Sequence, residues 1–456
     1  MKLFVWRWLV VSSFVHTAFL AVAETRPQYG GVLHIAARDA ISSPDPAMAA
    51  QPASLTEANL YALIFENLVT VEERGRVQPV LAISWQASHD DRRWQFRLRS
   101  GVKFHDGIGL TAEIAATSLR TANSSWHVTA EADTVTIDLE SGNPDLLAEL
   151  ALPRNAILNR GTNGPPSGTG PFRIVDWQDG KRLSLAANDD YWGGRPFLDS
   201  IEVRTGQTFR DQLMAFQSGK ADLIEVAPEQ AQRVPVDRQA LHSSLPIELL
   251  ALVFSHDAQS PDEKVLRRVL ALSIDRASIG SVLLQSAGQS AGGLLPNWMT
   301  GYAFVFSSEA DLAQARHLHD QVPTVPAWTL GYDAADPLSR LIAERIVLNA
   351  KDAGLSLQVT VSANPNLSLT RIPFDSSDPW VALQRLGAFA GLSVPVMPDN
   401  SVENLYAAEQ SLLATERIIP LFHLPIVYAI SPAVKSWKSH EDGAWSLADT
   451  WLENKP

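Results

Sequence analysis

Residues 94–107 read Trp-Gln-Phe-Arg-Leu-Arg-Ser-Gly-Val-Lys-Phe-His-Asp-Gly. The first five residues alternate between apolar and polar, which predicts a strand with one buried face. Asp106-Gly107 is a turn signal, and Thr111 stands where the N-cap of a following helix is expected. Residues 134–139 then alternate as another strand. This succession of strand, turn, helix and strand predicts a mixed α/β unit.

A second α/β unit is predicted in the C-terminal third of the chain. Residues 328–332 form a predicted strand, Asp336-Pro337 begins a helix with proline in its first turn, and residues 355–361 alternate as the next strand. A strand–helix–strand order indicates a parallel pair. Between the two units, residues 161–170 contain four glycines and two prolines, a composition that interrupts helices and central strands. With 456 residues, we predict an α/β architecture of two or three lobes.

The composition excludes several classes of partner and chemistry. Lys and Arg number 37 against 50 Asp and Glu, so the net charge is −13. Such an acidic surface repels phosphate backbones, and no nucleic-acid partner is expected. Cysteine is absent, which removes disulfides, thiolate metal sites and Cys nucleophiles.

Residues 1–23 have the pattern of a secretory signal peptide. Lys2 and Arg7 precede an apolar stretch, and Ala21-Val22-Ala23 matches a small-x-small cleavage site. A membrane anchor is the alternative, but the apolar run is shorter than the ~20 residues that span a bilayer and is polar in its middle. Without Lys2 and Arg7, 35 basic and 50 acidic residues give the remaining chain a charge of −15. We therefore expect a periplasmic protein.

Catalytic and metal-binding motifs are weak. Gly288-Gln289-Ser290-Ala291-Gly292 matches the G-x-S-x-G elbow of serine hydrolases, so Ser290 is a candidate nucleophile. That elbow needs a strand turning into a helix, whereas here the motif follows a predicted helix at 278–285, which favours a simple loop. His317 and His319 face apart on a helix, and no nucleotide-binding glycine motif occurs. No metal site and no cofactor are predicted.

Six segments carry a more specific signal through their order. They read YALIFENLVT, PVLAISW, WQFRLRSGVKFHDG, GTGPF, NDDYWGG and VLALSIDR, at residues 61–70, 79–85, 94–107, 168–172, 188–194 and 269–276. In this order they resemble the extracellular solute-binding proteins of family 5, the periplasmic peptide and nickel receptors of ABC importers.

The resemblance implies a two-lobed periplasmic-binding-protein clamp with an extra inserted domain. The short connection between the helix after Thr111 and the strand at 134 implies that this inserted domain is shortened. Motif residues such as Trp94 and Tyr191 are expected to support the scaffold and not to contact the ligand. The implied segments are 1–23 (signal peptide), 24–57 (lobe I), 58–164 (inserted domain), 165–250 (lobe I), 251–418 (lobe II) and 419–456 (lobe I).

The function implied by the resemblance is that of a non-catalytic receptor. It would deliver oligopeptides or a related small solute to the permease of an ABC importer, and we expect it to be a monomer. Three alternatives stay open: a metal-chelate or sugar-fragment receptor on the same scaffold, a structural or chaperone role, and a secreted serine hydrolase using Ser290.

Three residues are candidate ligand contacts. If Asp378-Pro379 corresponds to the family's Asp-Pro, the carboxylate of Asp378 receives the α-ammonium group of a peptide. The alternative role for Asp378 is to cap the helix that begins with Pro379. Trp298 and Trp380 are the aromatic residues expected to line the pocket. The surrounding segment, residues 373–380, departs from the family's usual ligand-region pattern, so the class of ligand stays open.

Overall fold

The computed structural model describes residues 26–39, 41, 43–49, 53–72, 75–161, 164–231, 241–302, 305–438 and 440–453. The predicted signal peptide at residues 1–23 lies outside the described residues. In the parts of the chain described here, no helix has both the length and the apolar character needed to cross a membrane.

Nineteen strands and eleven helices make up the described chain. The strands are β1 (Val32–Ala36), β2 (Val69–Val71), β3 (Val77–Pro79), β4 (Ala82–Ala87), β5 (Arg93–Leu98), β6 (His127–Glu131), β7 (Thr134–Asp138), β8 (Phe172–Gln178), β9 (Arg182–Ala187), β10 (Ser200–Arg204), β11 (Leu223–Val226), β12 (Leu241–Phe254), β13 (Gln289–Ser290), β14 (Ala327–Gly331), β15 (Ser356–Thr360), β16 (Leu367–Pro373), β17 (Ile418–Ile430), β18 (Val434–Lys435) and β19 (Trp451–Leu452). The helices are α1 (Leu55–Ile64), α2 (Ala112–Ala122), α3 (Leu146–Leu150), α4 (Phe209–Gln217), α5 (Pro261–Ser273), α6 (Arg276–Ser278), α7 (Asn297–Thr300), α8 (Leu312–His319), α9 (Pro337–Asp352), α10 (Pro379–Phe389) and α11 (Val402–Leu413).

A single eleven-stranded sheet runs through both lobes. Its order is β15-β14-β16-β12-β17-β11-β1-β10-β9-β8, with β13 paired to β17. In the lobe I half, β1 is parallel to β10 and β11, and in the lobe II half β14 is parallel to β15 and β16. The predicted strand–helix–strand unit is β14-α9-β15, and its strands are parallel as expected.

The two lobes share the long strands β12 and β17, which we call the hinge strands. They pair antiparallel from Leu241 to Val253, but the ladder is irregular between Ser243 and Glu248. In this stretch Pro246 faces Pro425. Proline cannot donate to a ladder, so few backbone bonds resist a change of angle here. The pairing of the hinge strands is therefore weakest between Ser243 and Glu248.

Each part of the chain has its own core. In lobe I, aliphatic residues of β1, β9 and β10 pack beneath α1, which spans the predicted boundary between lobe I and the inserted domain at residues 57 and 58. In lobe II, α5 and α9 cover β14, β15 and β16. The inserted domain folds around the sheet β4-β5-β7-β6, where Trp94, Phe96 and Leu98 are buried together. Alternation in the opening motif therefore predicts the buried face correctly.

A buried carboxylate joins residues of three of the six ordered motifs by hydrogen bonds. Glu66, directly after α1, accepts hydrogen bonds from Thr169 Oγ1 at 2.8 Å, Tyr191 Oη at 2.9 Å and Trp192 Nε1 at 2.8 Å. Burial raises the pKa of Glu66, while these three donors act in the opposite direction. Glycine is required at position 168, because a Cβ there would lie 1.9 Å from the Ile64 carbonyl oxygen. These motif residues therefore join lobe I to the inserted domain.

Candidate functional site

A cavity of about 210 Å³ lies where lobe I, the inserted domain and lobe II meet, and we call it the cleft cavity. Its described lining is mostly apolar or aromatic, with Asp375 and Asp442 as carboxylates and no Lys, Arg or His. It is lined by residues of α1 and of 442–444 from lobe I, by residues within 65–71 and 148–156, and by Ile247, Trp298 and residues 373–377.

Lobe II and the inserted domain contact each other beside this cavity. Val381 of α10 packs against Ala148 and Leu152 of the inserted domain. Nearby, Asn400 Nδ2 donates to Asp145 Oδ1 at 2.5 Å. Burial, together with the carboxylate of Asp378 and with other acids of the inserted domain, raises the pKa of Asp145 to about 6. Opening of the cleft would separate these groups.

Asp375 provides a buried carboxylate in the wall of the cleft cavity. Its side chain is 2% exposed, and its Oδ2 accepts hydrogen bonds from Arg385 Nη2 at 3.0 Å and Arg385 Nε at 3.2 Å. Its Oδ1 is buried and accepts no hydrogen bond from the described residues. The segment is held by the Phe374 amide, which donates to the Ile247 carbonyl oxygen of the hinge strand β12 at 2.9 Å. A buried carboxylate oxygen without a donor is costly to the folded protein.

A second ion pair lies on the inserted-domain side. Arg154 Nη2 donates to Glu149 Oε1 at 2.6 Å. Burial lowers the pKa of Arg154, and the charge of Arg385 across the cleft acts in the same direction. Two acid–base pairs, one on each side, therefore face each other next to the cleft cavity.

The family model for bacterial extracellular solute-binding proteins, family 5 Middle, matches residues 76–384. This chain belongs to that family. Its two-lobed fold with hinge strands and a cleft agrees with the architecture that the ordered motifs imply.

Relatives with described roles are identical to this chain at about a quarter of the aligned positions. The nickel-binding protein NikA of Staphylococcus aureus is 28% identical over 248 residues, which cover 50% of this chain and 49% of that protein. The nickel-binding periplasmic protein of Escherichia coli is 27% identical over 380 residues, covering 72% of each chain. The oligopeptide-binding protein AppA of Bacillus subtilis is 24% identical over 296 residues, covering 58% of this chain and 54% of that protein. The chain thus matches only about half the length of some of these relatives.

Solved structures share the fold. NikA from Staphylococcus aureus in complex with Ni(L-His)2 has a TM-score of 0.81 at 19% identity, covering 92% of this chain and 100% of that chain. A dipeptide-binding protein from Pseudoalteromonas in complex with Met-Leu has a TM-score of 0.81 at 16% identity, covering 93% and 100%. At these identities the likeness concerns the fold alone.

Asp378 caps α10. Its Oδ1 accepts hydrogen bonds from the backbone amides of Trp380 at 2.9 Å and Val381 at 3.0 Å. It does not line the cleft cavity, and its negative charge contributes to the raised pKa of Asp145 in the inserted domain. The capping role of Asp378 is therefore present in the structure, and its contact with a ligand stays a prediction.

The two predicted tryptophans lie in different surroundings. Trp298 lines the cleft cavity, and its Nε1 donates to the Pro246 carbonyl oxygen at 2.9 Å. Trp380 is 6% exposed and packs inside lobe II with α10 and α11, away from the cavity lining. Its role as a ligand contact stays a prediction with no support from its position.

Ser290 lies in β13, paired with Phe422 of β17, and it is exposed. The residues after it do not form a helix until Asn297, so the strand-to-helix turn of a nucleophile elbow is not present. Ser290 and His423 both line a cavity in lobe II, but Nε2 of His423 lies 3.1 Å from the Leu294 carbonyl oxygen. Burial lowers the pKa of His423 to about 4. No hydrogen bond joins Ser290 to His423 in the described chain.

The histidine pair forms no metal site with its neighbours. His317 Nε2 lies 3.1 Å from Gln321 Nε2, and His319 Nδ1 lies 3.3 Å from Asp320 Oδ1. Within the described residues, no group of three or more His, Asp or Glu side chains is placed to hold a metal ion.

Sequence reasoning missed Asp375 and its partner Arg385. A signal was present in the sequence. Asp378 directly precedes Pro379 at a helix start, so its side chain is expected to cap the helix, and the nearby Asp375 is then the acid that is available for another role. The pairing with Arg385 depends on how α10 packs against β16, and no local pattern reports that packing.

Proposed function

We propose that this protein is a periplasmic receptor that binds a small solute in the cleft cavity and presents it to the permease of an ABC importer. Family membership, a cleft between two lobes and a weak point in the hinge strands support this role. The names of relatives that bind oligopeptides, dipeptides or nickel are consistent with it. Export through the signal peptide and a monomeric state belong to the same proposal.

The ligand we propose carries a protonated amine that is bound by Asp375. The observation that carries this assignment is the buried Oδ1 of Asp375, which has no donor among the described residues while Arg385 holds Oδ2. An ammonium group there would form a charge-assisted hydrogen bond in a site with little water. The contact predicted for Asp378 is thereby moved to Asp375, because Oδ1 of Asp378 already caps α10.

The volume of the cleft cavity favours a small ligand. Ligand pockets commonly measure about 300–1,000 Å³, and the cleft cavity of about 210 Å³ is smaller. Within the oligopeptides, a dipeptide is therefore the size that we propose. A nickel chelate is supported by relatives only, since no described lining residue is a histidine.

We further propose that the protein is not an enzyme. Ser290 has neither the elbow nor a bond to His423 among the described residues. Loss of a measured ester turnover in Ser290→Ala would contradict this part of the proposal.

Native mass spectrometry of the protein purified from its own periplasm tests the receptor role. We expect a non-covalent adduct whose mass corresponds to a small amine or dipeptide, and Asp375→Asn should lose that adduct. An adduct that persists in Asp375→Asn would remove this carboxylate from the site. A wild-type protein that is always free of any adduct, and that no amine or dipeptide stabilises, would contradict the receptor role itself.

A further inference from the structure

Trp298 lines both the cleft cavity and a second cavity in lobe II. This second cavity measures about 920 Å³ and is lined by Tyr302 and Phe306, among others. Trp298 is the one described residue that lines both cavities. The two spaces are therefore neighbours that meet at Trp298.

The position of Trp298 is fixed on several sides. It lies in the short helix α7, which ends at Gly301 with a left-handed φ of 73°. Its Nε1 donates to the Pro246 carbonyl oxygen of a hinge strand at 2.9 Å. Phe374 lines the cleft cavity and His423 lines the second cavity, and their ring centroids lie 6.2 Å apart. We call Trp298 together with these two rings the wall between the cavities.

We infer that Trp298 determines the length of the ligand by closing the cleft cavity toward the second cavity. This inference rests on the proposed function, with the amine held at Asp375 on the cleft side. With the wall in place the ligand has about 210 Å³, whereas removal of the indole would give its far end access to the space of about 920 Å³. The aromatic lining of that space suits an apolar or aromatic end group. The receptor would therefore select short solutes and reject extended ones.

Titration calorimetry with dialanine, trialanine and tetraalanine tests the wall. We expect wild-type affinity to fall about tenfold or more between dialanine and tetraalanine, the scale on which a pocket wall discriminates. Trp298→Ala should remove most of this fall, and Trp298→Phe should keep it because a ring still fills the boundary. Trp177→Ala, in β8 of lobe I and also half-buried, is the control for the general loss of a tryptophan.

An unchanged fall in Trp298→Ala, or a wild type that binds all three lengths equally, would overturn the inference. A crystal structure of Trp298→Ala gives a readout that does not depend on the ligand. One continuous space from Phe374 to Phe306 is expected, and two separate cavities would overturn the wall. If no alanine peptide binds to any variant while the crystal structure shows one continuous space, the dipeptide assignment fails and the wall stands.

Discussion

Replacing Glu66 with alanine removes the acceptor of three donors, of which Thr169 is buried and Tyr191 and Trp192 are partly buried. Thr169 Oγ1 and Trp192 Nε1 both donate to Oε2, and Tyr191 Oη donates to Oε1. Glu66 is 8% exposed, so water cannot readily replace the carboxylate. Each donor left without a partner costs about 1–3 kcal/mol. Because the three act on one group and are not additive, we expect a total loss of about 3–6 kcal/mol.

Such a loss is a large part of the stability of a protein, which is typically about 5–15 kcal/mol. Denaturant unfolding followed by circular dichroism measures the overall effect. Hydrogen exchange locates it, because a chain of several domains need not unfold in one step. Exchange should increase first at the junction of lobe I with the inserted domain, where the Gly170 amide donates to the Ile64 carbonyl oxygen at 3.0 Å.

Two further variants test whether the loss of stability depends on the negative charge of Glu66 and on its position in the chain. Glu66→Gln keeps one oxygen where Thr169 and Trp192 both donate, and the Tyr191 hydroxyl can accept from the new amide, so we expect a loss of only about 1–2 kcal/mol. Glu113→Ala in α2 is the matched control, because its pair with Arg120 is exposed and should contribute less than about 1 kcal/mol. Equal stabilities of Glu66→Ala and Glu113→Ala would refute the assignment of Glu66 as the junction.

Three other predictions follow from the same structure. Gly168→Ala places a Cβ 1.9 Å from the Ile64 carbonyl oxygen, so we expect the free energy of unfolding in denaturant to fall by about 3 kcal/mol or more. Gly109→Ala, with no atom within 4 Å of its added Cβ, should unfold like wild type. The pKa of Asp145 is raised from 3.8 to about 6, so the wild type should lose stability relative to Asp145→Asn as the pH rises from about 4 to 7. Two pKa units correspond to about 3 kcal/mol, which solvent screening of this partly exposed group reduces to roughly 1–2 kcal/mol. Parallel pH profiles of the two melting temperatures would contradict the burial of this carboxylate. Saturating ligand should reduce the radius of gyration in small-angle scattering and, at one hundred times the dissociation constant, raise the stability by about 2.7 kcal/mol; an unchanged radius together with an unchanged melting temperature would count against a clamp.

Local signals in the sequence predicted several of the elements. Thr111 caps α2 by accepting from the Ile114 amide, and Asp336 caps α9 by accepting from the Leu338 amide, as expected from their positions before helical stretches. The residues at 278–285 differ from the predicted helix, since α6 is followed by a π-helical turn at Ile279–Leu283. The Leu284 amide donates to the Ile279 carbonyl oxygen, five residues back, and no local pattern reports that wider turn.

The long-range arrangement could not be read from the sequence. The pairing of β12 with β17 joins residues more than 160 positions apart, and it alone makes one sheet out of two lobes. The candidate site could not be predicted for the same reason, because Asp375, Trp298 and α1 become neighbours only in the folded chain. Asp378 was recognisable because a cap is a local feature, and Asp375 was not because its surroundings come from other elements. The predicted domain boundaries, such as those at 250 and 418, stay a prediction.

Titration calorimetry that compares Asp375→Asn with Asp378→Asn, using the solute identified by mass spectrometry, tests the central claim most directly. Asparagine caps a helix nearly as well as aspartate, so Asp378→Asn should keep both its fold and its affinity. Asp375→Asn should lose stability, because it removes the carboxylate that pairs with the largely buried Arg385, and it should also lose about 2–5 kcal/mol of binding free energy, because the ligand amine loses the same charged partner. Retained affinity in Asp375→Asn, or a loss confined to Asp378→Asn, would contradict a ligand site built on Asp375.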